Sequence, residues 1–212
     1  MTTPEMTTPQ LCVEVIKICG AGTAFIIATY QYVTAQKWKR REFVAAQVRD
    51  FKSDKWIAAG LTILDWSDRK VAFPNEIEDK PFVFITHEAL LCAALLPHSP
   101  PNGYSTKEAL LRDCFDRLLD GLVMFQNFIE ARLISVDELR PYMNYWLRSI
   151  SGETRQHTPQ FYLLLHNYIN VYGFKEAAQL LESFGYRISA PGGEVDAAIE
   201  SILAQRLLCE SD

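Results

Sequence analysis

The sequence predicts an all-α protein in which a single N-terminal transmembrane helix precedes a helical-bundle cytoplasmic domain. Three observations predict it. No charged residue occurs from Ile18 to Gln36, a basic and aromatic cluster follows at once, and apolar residues then recur at three- and four-residue steps through most of the chain. Residues 1–10 read as a short tail, 11–36 as the membrane helix and 37–52 as a basic juxtamembrane helix. Residues 53–190 read as the helical domain and 191–212 as a C-terminal helix.

The uncharged stretch, as a helix, spans roughly 28 Å at about 1.5 Å per residue, close to the hydrocarbon thickness of a bilayer. Lys37, Lys39, Arg40 and Arg41 follow it, whereas the other flank has Lys17 and the amino terminus set against Glu5 and Glu14. The positive-inside rule then puts the N-terminus outside and the long C-terminal part in the cytoplasm. Trp38, with Tyr30 and Tyr32, sits where amphipathic rings favour the headgroup level, so 37–41 is the expected membrane interface. Gly20, Ala24 and Ala28 recur every four residues and form a small-residue stripe against which a second membrane helix can pack. Two rival readings compete here. Val33-Thr34-Ala35 resembles a signal-peptide cleavage site, but the mature chain would then begin on a cationic cluster that resists translocation. Thr23, Thr29 and Gln31 argue for a buried helix of a soluble bundle.

Beyond the anchor, Trp38, Phe43, Val44, Val48 and Phe51 continue a helical pattern as a stalk, and Ser53 or Asp54 caps a helix bearing Trp56, Ile57, Ile63 and Leu64. Charges, Pro74, Asn75 and Pro81 predict a loop over 66–81, with Val71 to Phe73 as a short extended piece. A helix begins at Thr86 and ends at the proline-rich segment from Pro97 to Gly103. Ser105 with Glu108 forms a capping box ahead of Leu111, Phe115, Leu118, Leu122, Phe125 and Ile129. Ser135 with Glu138 repeats the box, although Pro141 moves the expected start to Arg140. Tyr142, Trp146 and Ile150 are the expected apolar face there. Thr158-Pro159 opens a helix with Phe161, Leu164, Leu165, Tyr168, Ile169 and Tyr172, closed by Gly173. A short helix over 174–184 ends at Gly185, and a last one runs from about Val195 with Ile199, Ile202 and Leu203.

Composition narrows the function classes. A net charge of -5 opposes nucleic acid as the main partner, because phosphate binding needs a concentrated basic surface. Five cysteines without a C-x-x-C pair fit free thiols in a reducing compartment, with Cys92 and Cys114 inside apolar helical patterns. His87-Glu88 lacks the second histidine of a zinc helix. Asp65 to Glu76 fails as a calcium loop because Arg69 and Lys70 occupy its fifth and sixth positions. No phosphate-binding loop or nucleophile elbow occurs, and Gly20-Ala21-Gly22 has no preceding strand. Asp113, Asp116 and Asp120 share one helix face, read as solvated surface beside Arg117, and His166 reads as a hydrogen-bonded core histidine. No catalytic, cofactor or metal residue is therefore expected.

Aromatic residues concentrate between 142 and 172, where Tyr142, Tyr145, Trp146 and Tyr162 form an expected interaction surface. The anchor, the junction Lys37-Trp38-Lys39-Arg40-Arg41, the run Phe115-Asp116 to Leu122 and Tyr145-Trp146-Leu147 together resemble bacterial single-pass membrane proteins of unknown function. That resemblance implies an anchored helical domain at the bacterial inner membrane and implies no site or activity. The expected function is a membrane-tethered noncatalytic interaction domain or accessory subunit of a membrane complex. Its expected partners are the lipid bilayer and either a second copy or another membrane protein. Two alternatives stand beside it. One is an oligomeric membrane-perturbing effector with Thr23, Tyr30 and Thr34 along a polar face. The other is a divergent helical enzyme using the three aspartates and a histidine.

Overall fold

The computed structural model describes residues 8–75, 80–97, 103–188 and 192–209, and within these the side chains of 8–16, 18–19 and 205–209 are left out. Glu5, Glu14, Glu76, the 98–102 segment and Pro191, all used above, lie outside the described residues or side chains. The described chain is mainly helical, with helices α1 (Thr8–Ser53), α2 (Lys55–Asp65), α3 (Glu88–Ala94), α4 (Thr106–Glu130), α5 (Val136–Ile150), α6 (Pro159–Val171), α7 (Lys175–Ser183) and α8 (Gly193–Cys209). Strands β1 (Arg69–Phe73) and β2 (Phe82–Thr86) complete it. By contacts the chain divides into a first unit, Met1–Phe43, and a second, Val44–Asp212. The all-α class is thus met.

In the first unit α1 is continuous through the stretch expected to cross a membrane, and Phe25, Ile26, Ile27, Tyr30, Tyr32, Val33 and Trp38 are all exposed. The membrane-crossing expectation is left without support there. Among the described residues no helix is long and apolar enough to cross a membrane. Thr23, Thr29, Tyr30, Gln31, Tyr32, Thr34 and Gln36 place polar atoms along the C-terminal two thirds of the stretch, and these dilute its apolar character.

The second unit begins inside the same helix. Val44, Val48 and Phe51, at i, i+4 and i+7, are buried there, so this part of the expected stalk belongs to a core. Asp54 breaks the helix and caps the next, its Oδ1 accepting the Trp56 N–H at 2.8 Å and the Ile57 N–H at 3.0 Å. The core is built around α4, which packs on α2, α3 and α7. Its residues Leu111, Phe115, Leu118, Leu122 and Phe125 are essentially without solvent exposure. Gly121 lets Phe51 lie directly on α4, since a Cβ there would stand 2.4 Å from the Phe51 ring. Phe51 meets Phe125 edge-on with ring centroids 5.3 Å apart.

Three details differ from the sequence reading. Strands β1 and β2 pair antiparallel, Arg69 opposite Thr86 through Phe73 opposite Phe82. The β-branched and aromatic run from Phe82 to Ile85 supplies the second strand, with Phe84 stacked diagonally on buried Phe73 at 4.4 Å. Helix α5 starts at Val136 despite Pro141, both halves of the Ser135–Glu138 capping box being present. Pro141 deprives only the carbonyl of Asp137, an exposed residue. The buried face of α5 is Leu139, Met143, Leu147 and Ile150, so Tyr142 and Trp146 stand one position off the stripe assigned to them.

Candidate functional site

The described ends of α2, α3 and α6 meet at one hydrogen-bonded pair, His157 with Glu88. His157 lies just before Thr158, the N-cap of α6, and its imidazole is removed from solvent. Its Nδ1 stands 3.0 Å from Glu88 Oε2, its Nε2 2.8 Å from the Ile63 carbonyl oxygen, and its ring stacks on Phe161 at 4.1 Å. A carbonyl can only accept, so Nε2 carries a proton there. The other oxygen of Glu88 accepts both the N–H and the hydroxyl of Thr158, each at 2.8 Å. Burial alone would raise the Glu88 pKa; the bonds from His157 and Thr158 outweigh it and hold the carboxyl below its ordinary range. Glu88 is also the first residue of α3, where a negative charge suits the helix dipole. With both ring nitrogens engaged, His157 acts as a clamp between three helices and has no nitrogen left for proton transfer.

Beside this clamp opens a cleft of about 610 Å³, walled by the α5–α6 loop, the first turns of α6 and Glu194 of α8. The loop is shaped by two residues of positive φ, Gly152 at 84° and Arg155 at 54°. At Gly152 a Cβ would also stand 3.0 Å from the Tyr162 ring. Tyr162 is buried, and its hydroxyl oxygen accepts the backbone N–H groups of Gln156 at 3.2 Å and His157 at 3.3 Å. His166 donates Nε2–H to the Ile150 carbonyl at 2.9 Å, and burial pushes its pKa down, so the ring is neutral. Arg155, Gln160 and Glu194 line the same cleft.

A second polar cluster is structural. Arg112 donates to the carbonyl oxygens of Ala94 at 2.7 Å and Leu96 at 2.9 Å, satisfying the end of α3. Its guanidinium lies over the rings of Tyr104, Tyr168 and Tyr172, at 4.3, 4.9 and 5.1 Å. Tyr168 donates to Asp116 at 2.5 Å, so the middle aspartate of the proposed acidic face is tied to the core, while Asp113 and Asp120 are exposed. Burial raises the Asp116 pKa, against the lowering effect of Tyr168 and Arg112. Burial likewise pushes the Cys92 thiol up to about 12 and the Cys114 thiol higher still, which leaves both unreactive near neutrality.

The sequence-derived residues fall in separate places. Lys37, Trp38, Lys39, Arg40 and Arg41 are exposed on α1 in the first unit, as are Gly20, Ala24 and Ala28. A Cβ at Gly20 would meet nothing within 4 Å. In the second unit Tyr142 and Tyr145 are exposed and Trp146 is half-buried, its ring edge-on to Tyr145 at 5.0 Å. Tyr145 donates to Asp65 at the end of α2, beside exposed Trp66. Tyr162 does not join this patch; it is buried in the cleft wall. Among the described residues no group of three His, Cys, Asp or Glu is placed to hold a metal ion. Sequence reasoning gave His157, Glu88 and Arg155 no role. The cap Thr158-Pro159 marked the neighbourhood, but nothing local announces a bond between residues 69 apart in sequence. Comparison with known protein families, with curated proteins and with solved structures finds no match to this chain.

Proposed function

We propose that the chain is a noncatalytic interaction module, tethered to a membrane through residues 11–36 and self-associating along Gly20, Ala24 and Ala28. The observation that carries this reading is the unpartnered apolar surface of α1, where Phe25, Ile26 and Ile27 are 74, 68 and 51% exposed on three successive positions. Three successive residues point around the helix, so no single face can hide them and something must surround it. A bilayer does so, and the basic-aromatic band at Lys37 to Arg41 suits the headgroup layer at its cytoplasmic side. Thr29 lowers one polar cost within the stretch, because its hydroxyl donates to the Phe25 carbonyl at 2.8 Å.

The tethered domain is read as a binding unit because its interior acids and histidines serve packing. Glu88 and His157 join helix ends, His166 closes α5, Asp116 holds Tyr168, and Glu108 completes a capping box. The exposed aromatics Trp66, Tyr142 and Tyr145 supply the partner-facing surface, in line with the residue preferences of interfaces. Membrane fractionation with alkaline extraction tests the tether. The chain is expected in the pellet, and replacing Ile26 and Ile27 with Asp is expected to release it. Extraction of the wild-type chain into the supernatant overturns the reading.

A further inference from the structure

We infer that the cleft beside His157 binds a small zwitterion, of amino-acid to short-peptide size, with Arg155 receiving its carboxylate and Glu194 its ammonium group. Both charged residues line the cleft, yet they form no ion pair with each other, nor with any other residue among those described. Two opposite charges that border one recess without pairing are complementary to a ligand carrying the same pair reversed. The remaining polar groups fit that ligand. Tyr162, in the wall, accepts the N–H groups of Gln156 and His157 and so fixes the loop that carries Arg155. Gln160 adds an amide in the first turn of α6, where the helix dipole favours a carboxylate. His166, committed to Ile150 through Nε2, brings no charge that would upset the balance. A volume of about 610 Å³ admits a ligand of this size together with water.

Arg155 also carries a backbone signature. Its φ of 54° is a conformation that an L side chain adopts at a cost, and glycine would adopt it more readily. This provides a test in which binding and folding move in opposite directions. Thermal melting of the full chain in detergent would be followed with each free amino acid and with glycylglycine at about 20 mM, a concentration at which even millimolar ligands shift the midpoint. Acetate, methylammonium and inorganic phosphate serve as single-charge probes. At least one zwitterion is expected to raise the midpoint while the single-charge probes do not. Arg155→Gly and Glu194→Gln are each expected to weaken the response at least about tenfold, with Arg155→Gly melting no lower than wild type in the absence of ligand. The inference is overturned if no zwitterion shifts the midpoint, if phosphate or acetate alone matches the best zwitterion, or if both variants keep wild-type affinity.

Discussion

Glu88 illustrates at the residue scale how one carboxylate links distant parts of the chain. One oxygen faces His157 and the other gathers the N–H and hydroxyl of Thr158, so a single side chain at the start of α3 organises the start of α6. Its folded pKa is depressed, so its contribution to stability is complete above the ordinary carboxyl range and disappears as pH falls through the folded value. Asp116, whose pKa burial raises, works in the opposite sense, since protonation relieves it. Glu88→Gln separates the two, because glutamine keeps an oxygen for Thr158 and loses the charge. Melting temperatures of wild type and Glu88→Gln should differ most near pH 7 and converge as pH drops below the carboxyl range. A gap of constant size across that range would show that the charge of Glu88 contributes nothing. Little of this was legible in sequence. Thr158-Pro159 and the two capping boxes announce themselves within four residues, whereas the partners of His157 lie 69 and 94 residues away. His166 was legible, because a histidine between apolar helical positions has few alternatives to a backbone bond.

At the scale of elements, legibility followed the length and regularity of the pattern. Helix α4 was readable from its capping box and buried stripe, since 25 residues sample the helical period many times. On α5 the expected stripe was Tyr142, Trp146 and Ile150; Ile150 is buried, yet the other apolar positions of the buried face are Leu139, Met143 and Leu147. Bulk alone does not choose the face; tyrosine and tryptophan carry polar tips that tolerate the surface. The strand pair was half seen, because its second strand is a five-residue run whose apolar character also suits a helix. The junction of α1, α2 and α4 depended on glycines that no period reveals. Gly121→Ala should therefore destabilise the second unit by about 1–3 kcal/mol, since the displaced Phe51 ring is already wedged against Phe125. Denaturant unfolding measures it.

On the scale of the whole molecule, the contact boundary between Phe43 and Val44 falls within one continuous helix, inside the stretch read from sequence as juxtamembrane. Burial decides this boundary: Trp38 is 65% exposed and Val44 1%. The all-α class was legible because helical periodicity recurs across most of the chain, while the cleft was not, because it forms where a loop, α6 and α8 converge. The clamp at His157 also bears on the order in which the chain is made. Its bonds join Ile63 and Glu88 to His157, and Glu88 in turn to Thr158, so a nascent chain has synthesised α2, α3, α4 and α5 before any of them can close. Until then Glu88 remains solvated and α2 and α3 lack their shared tie, so the unit acquires its final protection late in synthesis. Ribosome-bound chains ending at residue 150 should be cut rapidly by a protease, and chains with all 212 residues outside the exit tunnel should resist it. Equal resistance at both lengths would mean that the helices upstream hold together without the clamp.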